Sequence, residues 1–159
     1  MAEFNLKTVV QKEEQTKQIP IDLSIVKSYI LETTNPTMIG IANALGLKLR
    51  TFYRKINDLT YQSQGKSYRL NLKGARDNYR ILEVLKHIRA NSNKTIEEIS
   101  KDLGFCDIYY FDKWFGRKIR QKRITPKEYQ LMESKEAEKI KNKYKTKLEK
   151  CWPGFSKGL

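Results

Sequence analysis

Apolar residues along the chain recur at helical spacing, and glycines, prolines and capping residues cut that pattern into short pieces. Ile25, Tyr29 and Ile30 mark a first helix entered through the Pro20 and Asp22 region and stopped by Asn35-Pro36. Thr37 caps a second, short one, and Lys48 to Asn57 forms a third. Between Ser67 and Ile88, residues Tyr68, Leu72, Ala75, Tyr79, Leu82, Val84, Leu85 and Ile88 fit one long helix or two broken near Gly74. Thr95 with Glu98 is a capping box ahead of Ile96, Ile99 and Leu103, and Gly104 closes that helix. Thr125, Pro126 and Glu128 start a last helix, whose stripe of Tyr129, Met132, Ile140, Tyr144, Leu148 and Cys151 runs to Pro153-Gly154. The pattern predicts an all-α fold. One stretch leaves a choice: Leu59-Thr60-Tyr61-Gln62 and Lys66-Ser67-Tyr68-Arg69-Leu70 flank Gln64-Gly65 as a β-hairpin would, which makes the first half a winged helix.

The segment Thr95–Tyr129 organises the rest. After Gly104, Phe105 is expected to fold into the angle between two helices, with Tyr110, Phe111, Trp114 and Phe115 closing a small core and Ile108, Tyr109, Asp112, Lys113 and Arg117 facing outward. Part of it occurs twice. Ile41-Ala42-Asn43-Ala44-Leu45-Gly46-Leu47 aligns with Ile99-Ser100-Lys101-Asp102-Leu103-Gly104-Phe105, and each copy leads into a helix of aromatic and basic residues. Phe52 and Phe111 differ by one residue in their distance from the glycine.

The run Gly104-Phe105-x-Asp107-x-x-Tyr110-Phe111-x-Lys113-x-Phe115, followed by Thr125-Pro126-x-x-Tyr129, resembles the second helix-turn-helix of the AraC/XylS family of bacterial transcription regulators, and the resemblance extends over roughly 25–129. The chain departs from that pattern at Ser100, where alanine is usual, in lacking a glycine before the Thr-Pro, and in a longer, basic link to Thr125. The resemblance implies two helix-turn-helix subdomains joined by a linker helix. It also implies that Arg50, Tyr53 and Arg54 on the first recognition helix and Ile108, Tyr109, Asp112 and Lys113 on the second face bases; Lys48 and Thr51 are further DNA-binding candidates on the first. Independently, Arg50 and Arg54 are four apart on one helical face, and an arginine fork matches the two acceptors of guanine. Lys113, Arg117 and Lys118 suit phosphates, as does Arg120 in the basic link.

Charge strengthens this picture. Thirty-two lysines and arginines against 18 acidic residues give a formal charge of +14 and a pI near 9.7, which favours a polyanionic partner. No run suits a membrane span, and the polar start MAEFNLKTVVQKEEQ lacks the apolar core of a signal peptide, so a cytoplasmic, nucleoid-associated protein is expected. Cys106 and Cys151 make neither a disulfide framework nor a zinc site, and Cys106 reads as a small turn residue rather than a redox switch. His87 has no fixed Cys, Asp or Glu partner in sequence, there is no P-loop, and neither catalytic residues nor metal or cofactor sites are expected.

The expected organisation is a flexible lead-in over 1–18, a first helix-turn-helix subdomain over 19–66, a linker helix region over 67–92, a second helix-turn-helix subdomain over 93–130 and a C-terminal helix and tail over 131–159. The expected function is that of a sequence-specific regulator that binds double-stranded DNA, with recognition helices in successive major grooves and a surface for RNA polymerase. Lacking the family's usual ligand-binding domain, it would be controlled by abundance or a protein partner. The alternatives are an architectural or accessory DNA binder of replication, recombination or phage and plasmid maintenance, and a protein-binding adaptor or inhibitor. The C-terminal stripe offers a homodimer contact or a polymerase-docking face or, the favoured reading, packing on its own domain.

Overall fold

Asp22 opens the first helix: its carboxylate accepts from the Ser24 amide at 2.9 Å, and α1 runs Leu23–Glu32. In the computed structural model the described residues are 21–57, 59–63, 65–119 and 124–156. The lead-in expected over 1–18 and the side chain of Arg120 lie outside them. The fold is all-α in class, with eight helices and one two-stranded hairpin among the described residues. The chain divides into two compact units, one holding residues up to Asp77 together with those from Lys147 onward, the other holding Asn78–Thr146.

In the first unit, α1 buries Leu23, Val26 and Ile30. The expected face through Ile25 is displaced, and Ile25 is exposed, because a helix that starts at Leu23 brings 23, 26 and 30 into line. Thr37 caps α2 (Met38–Ala44) by accepting from the Gly40 amide at 2.9 Å. After the turn comes α3 (Leu49–Ile56), anchored by buried Phe52. Strands β1 (Thr60–Ser63) and β2 (Lys66–Arg69) then pair antiparallel, from Thr60 opposite Arg69 to Ser63 opposite Lys66. Buried Leu59 and Leu70 close the open end, joined by a 3.1 Å backbone bond. The hairpin is therefore the form this stretch takes, and the long helix starts at Leu72 rather than in the Ser67–Tyr68 region. Gly74 does not break it. α4 (Leu72–Ala90) passes through Gly74 because Cys151 and Asn71 crowd that position: a Cβ there would lie 2.6 Å from the Cys151 sulfur. At the chain end Trp152 and Phe155 are fully buried, with ring centroids 5.1 Å apart.

The second unit is built on the rest of α4, whose Ile81, Val84, Leu85 and Ile88 are buried. α5 (Ile96–Asp102) begins at the expected box, with the Thr95 hydroxyl accepting from the Glu98 amide and donating to its carboxylate, both at 3.1 Å. α6 (Ile108–Lys118) follows, capped by Asp107, which accepts from the Tyr110 amide at 2.7 Å. α7 (Pro126–Leu131) repeats the box with Thr125 and Glu128. The long last helix of the sequence reading is broken at Met132: α7 ends and α8 (Ser134–Cys151) starts afresh. Arg89 explains the break. Its guanidinium donates to the carbonyls of Tyr129 and Gln130, each at 3.3 Å, and to that of Met132, capping the end of α7. Buried Gln130 donates to the carbonyls of Asn91 and Lys94, both at 3.0 Å, and so fixes the link from α4 to α5. The Tyr144 hydroxyl reaches the Lys118 carbonyl at 2.9 Å. Of the C-terminal stripe, Tyr129, Tyr144 and Leu148 are buried within the chain, and Met132, Ile140 and Cys151 are half-buried. No helix among the described residues is long and apolar enough to cross a membrane.

Candidate nucleic-acid interface

The repeat in sequence is a repeat in backbone. In the first copy Leu47 N–H donates to Ala42 O at 2.9 Å and Gly46 N–H to Asn43 O at 3.0 Å; in the second, Phe105 N–H donates to Ser100 O and Gly104 N–H to Lys101 O, both at 3.0 Å. These six-to-one and five-to-two bonds form a Schellman turn, which requires a left-handed residue between the helices. Gly46 and Gly104 supply it at φ 70° and 81°. Ser100 is also accounted for, since its buried hydroxyl donates to Glu97 O at 2.7 Å and is satisfied where an alanine would simply be apolar.

The one-residue offset between the copies lies in the turn. Helix α3 starts from N-cap Lys48, two residues past its glycine, and α6 from N-cap Asp107, three residues past. From each N-cap the fully buried phenylalanine, Phe52 or Phe111, is four residues on. Counted from the caps, Arg50 corresponds to Tyr109, Tyr53 to Asp112 and Arg54 to Lys113. At about 100° per residue, these three positions lie away from the buried phenylalanine in both helices.

Exposure agrees with that geometry. Lys48, Arg50, Tyr53 and Arg54 are exposed on α3, and Thr51 is half-buried. On α6, Ile108, Tyr109, Asp112, Lys113 and Arg117 are exposed, while Lys118, seven residues on from Phe111 and so on the same side of the helix, is half-buried. Tyr110 corrects the expected core. It is 48% exposed, and its ring centroid lies 6.1 Å from that of Phe105. Phe111 and Phe115 are the inward residues, and Trp114 is half-buried. Phe105 does fill the interhelical angle, 4.7 Å from the Phe111 ring and 5.2 Å from Trp114.

Two features of the outward face of α6 were not foreseen. The Lys113 ammonium lies 4.6 Å from the centroid of the Tyr109 ring, so cation and aromatic form one unit. Gly116 lies on the same stripe, and among the described residues no atom beyond its own turn comes within 4 Å of where its Cβ would be. A glycine in open space inside a helix lowers helix propensity, and no packing among the described residues offsets that.

Cations missed by sequence reasoning lie beside α3. Arg69 on the hairpin donates to the Asn57 side chain at 3.5 Å, a long contact. Arg69 and Lys73 line a cleft of about 460 Å³ together with Tyr53, Ile56, Leu70 and Leu72. The hairpin alternative was the only signal that pointed toward them.

His87 does have a carboxylate partner, contrary to the sequence reading. Its Nε2 lies 3.3 Å from Asp102 Oδ2, which also accepts from the Lys94 ammonium at 2.8 Å. Helix α4 and the end of α5 bring together residues 15 apart in sequence. Those bonds hold the Asp102 carboxyl below its usual range, the Lys94 bond contributing most. Cys106 is exposed, with its sulfur 3.9 Å from Asp107 Oδ2. Comparison with protein-family models, curated proteins and solved structures returned no match to this chain.

Proposed function

We propose that this chain is a sequence-specific regulator of transcription that binds double-stranded DNA through α3 and α6, each entering a major groove, in the manner of the AraC/XylS regulators it resembles. The observation that carries this reading is the doubled helix, Schellman turn and helix, with Arg50 and Arg54 in one copy and Tyr109 and Lys113 in the other on corresponding outward positions. A net charge of +14 supplies the phosphate attraction.

Phosphate contacts by Lys113, Arg117 and Arg120 fix register, and base contacts by Arg50, Tyr53, Arg54, Ile108, Tyr109 and Asp112 choose the sequence. Gly116 supports the same reading, because a missing side chain on an outward helical face lets another molecule's backbone approach closely. A separate surface contacts RNA polymerase, and no chemical step is assigned to the protein.

The test is selection of bound sites from a random duplex library, then footprinting of the winner across a salt series. Two short boxes in successive major grooves are expected. Binding with a steep salt dependence but no enriched sequence would make the protein an architectural binder instead. If no duplex binds at moderate salt, the protein-binding alternative takes over.

A further inference from the structure

We propose that α6 selects thymine through its C5 methyl group, so that the box it reads is A·T-containing whereas the α3 box contains guanine. This rests on the DNA-binding reading above and names what the second helix recognises.

The first turn of α6 presents three consecutive side chains with apolar bodies to solvent: Ile108, Tyr109 and Tyr110 are 39%, 65% and 48% exposed. In the major groove the thymine methyl is the apolar feature for such residues to cover. Guanine recognition needs a donor fork aimed at O6 and N7, and α3 has arginine at both corresponding positions. On α6 those positions hold Tyr109 and Lys113, and the lysine ammonium sits over the tyrosine ring at 4.6 Å. Asp112 stands where α3 has Tyr53. An ionised carboxylate only accepts, so it opposes the acceptor edge of guanine and suits the N6 amino group of adenine or the N4 amino group of cytosine. An A·T pair satisfies both features, with the methyl against Tyr109 and Ile108 and the adenine amino group toward Asp112. A C·G pair satisfies only the carboxylate.

The experiment uses the full chain and the selected duplex. The α6 box is identified as the one whose preference Arg54→Ala leaves unchanged. Every thymine in that box is then replaced by uracil, which pairs identically and lacks only the methyl. Affinity is expected to fall about fourfold for each methyl contacted. Tyr109→Ala and Ile108→Ser should each narrow the gap between the thymine and uracil duplexes. Arg54→Ala should keep the difference. Equal binding of both duplexes by the unaltered chain overturns the proposal, as does an α6 box made only of G·C pairs or a thymine preference that survives both substitutions. Absence of any enriched sequence overturns the base-reading function itself and this inference with it, an outcome distinct from an enriched site that ignores the methyl.

Discussion

The guanidinium of Arg80 donates to the carbonyl oxygen of Leu103 at 2.9 Å, at the point where α5 gives way to the turn. Its flat face lies 4.9 Å from the Phe105 ring centroid and 6.0 Å from that of Trp114. Arg80 is only 8% exposed, and burial lowers its pKa. A planar cation thus fastens the helix end and the aromatic wedge together. Arg80→Met should cost about 1–3 kcal/mol, because it leaves a buried carbonyl without its donor. Arg80→Lys should recover little, since an ammonium lacks the stacking plane. Chemical denaturation of the three proteins reads this out, and a methionine variant as stable as the parent would remove Arg80 from the supports of the second turn.

Substitution of either turn glycine should act on stability before it acts on binding. An L-residue in the left-handed region costs roughly 1–2 kcal/mol, so Gly46→Ala and Gly104→Ala should each lower the midpoint of thermal unfolding. No atom of the described residues comes within 4 Å of a Cβ at Gly46, so its penalty comes from backbone conformation. A neutral Gly46→Ala would contradict the left-handed turn.

Gly116→Ala should separate the two properties. Alanine is about 0.8–1 kcal/mol better than glycine inside a helix, and nothing among the described residues obstructs the new methyl. The variant should therefore unfold at a higher temperature while binding duplex DNA more weakly. Unchanged affinity would mean that no partner approaches α6 closely at this point.

Base readers and phosphate contacts should differ in what they change. Arg54→Ala is expected to cost roughly 1–3 kcal/mol and to relax selection at one box, whereas Arg117→Ala should weaken all sequences alike and reduce the salt slope by about 1. Affinities measured on the selected site, a scrambled site and a salt series distinguish them. Identical behaviour of the two variants on every duplex would erase the assignment of roles.

Stability should depend on pH through Asp102. Its folded-state pKa lies below the ordinary 3.8, so near that pH the unfolded chain binds more protons than the folded one. The stabilisation is complete above 3.8 and is lost as the pH falls through the lower, folded value. Asp102→Asn should accordingly be less stable than the parent at neutral pH and converge with it in strong acid. Parallel stability curves across that range would show that Lys94 and His87 contribute nothing through this carboxylate.

Local signals were legible in the sequence where one residue and its near neighbours decide the outcome. Asp22, Thr37, Thr95 and Thr125 each cap a helix with bonds to residues two or three positions on, and both turn glycines act within their own turn. What was hidden depends on distant partners. Arg80 reaches 23 residues, Gln130 about 40, and Arg89 over 40 to end a helix whose apolar stripe continues through the break. The strand at Lys66–Arg69 carries a pattern that also suits a helix, and only its pairing with Thr60–Ser63 decides. At the candidate site, the charged outward positions followed from periodicity. The Lys113–Tyr109 pair and the Arg69–Lys73 border of the cleft needed three dimensions.

The extra residue between Gly104 and Asp107 has a consequence for how such a duplicated module can diverge. Lodged in the turn, an insertion leaves the cap-to-core count at four, and the same helical positions still look outward. The identical insertion inside α3 or α6 would rotate everything beyond it by about 100° and turn Arg54 or Lys113 off the outward face. The hinge is thus where this architecture tolerates length change, and the two halves are properly superposed from their helix caps, pairing Arg50 with Tyr109, rather than from their glycines.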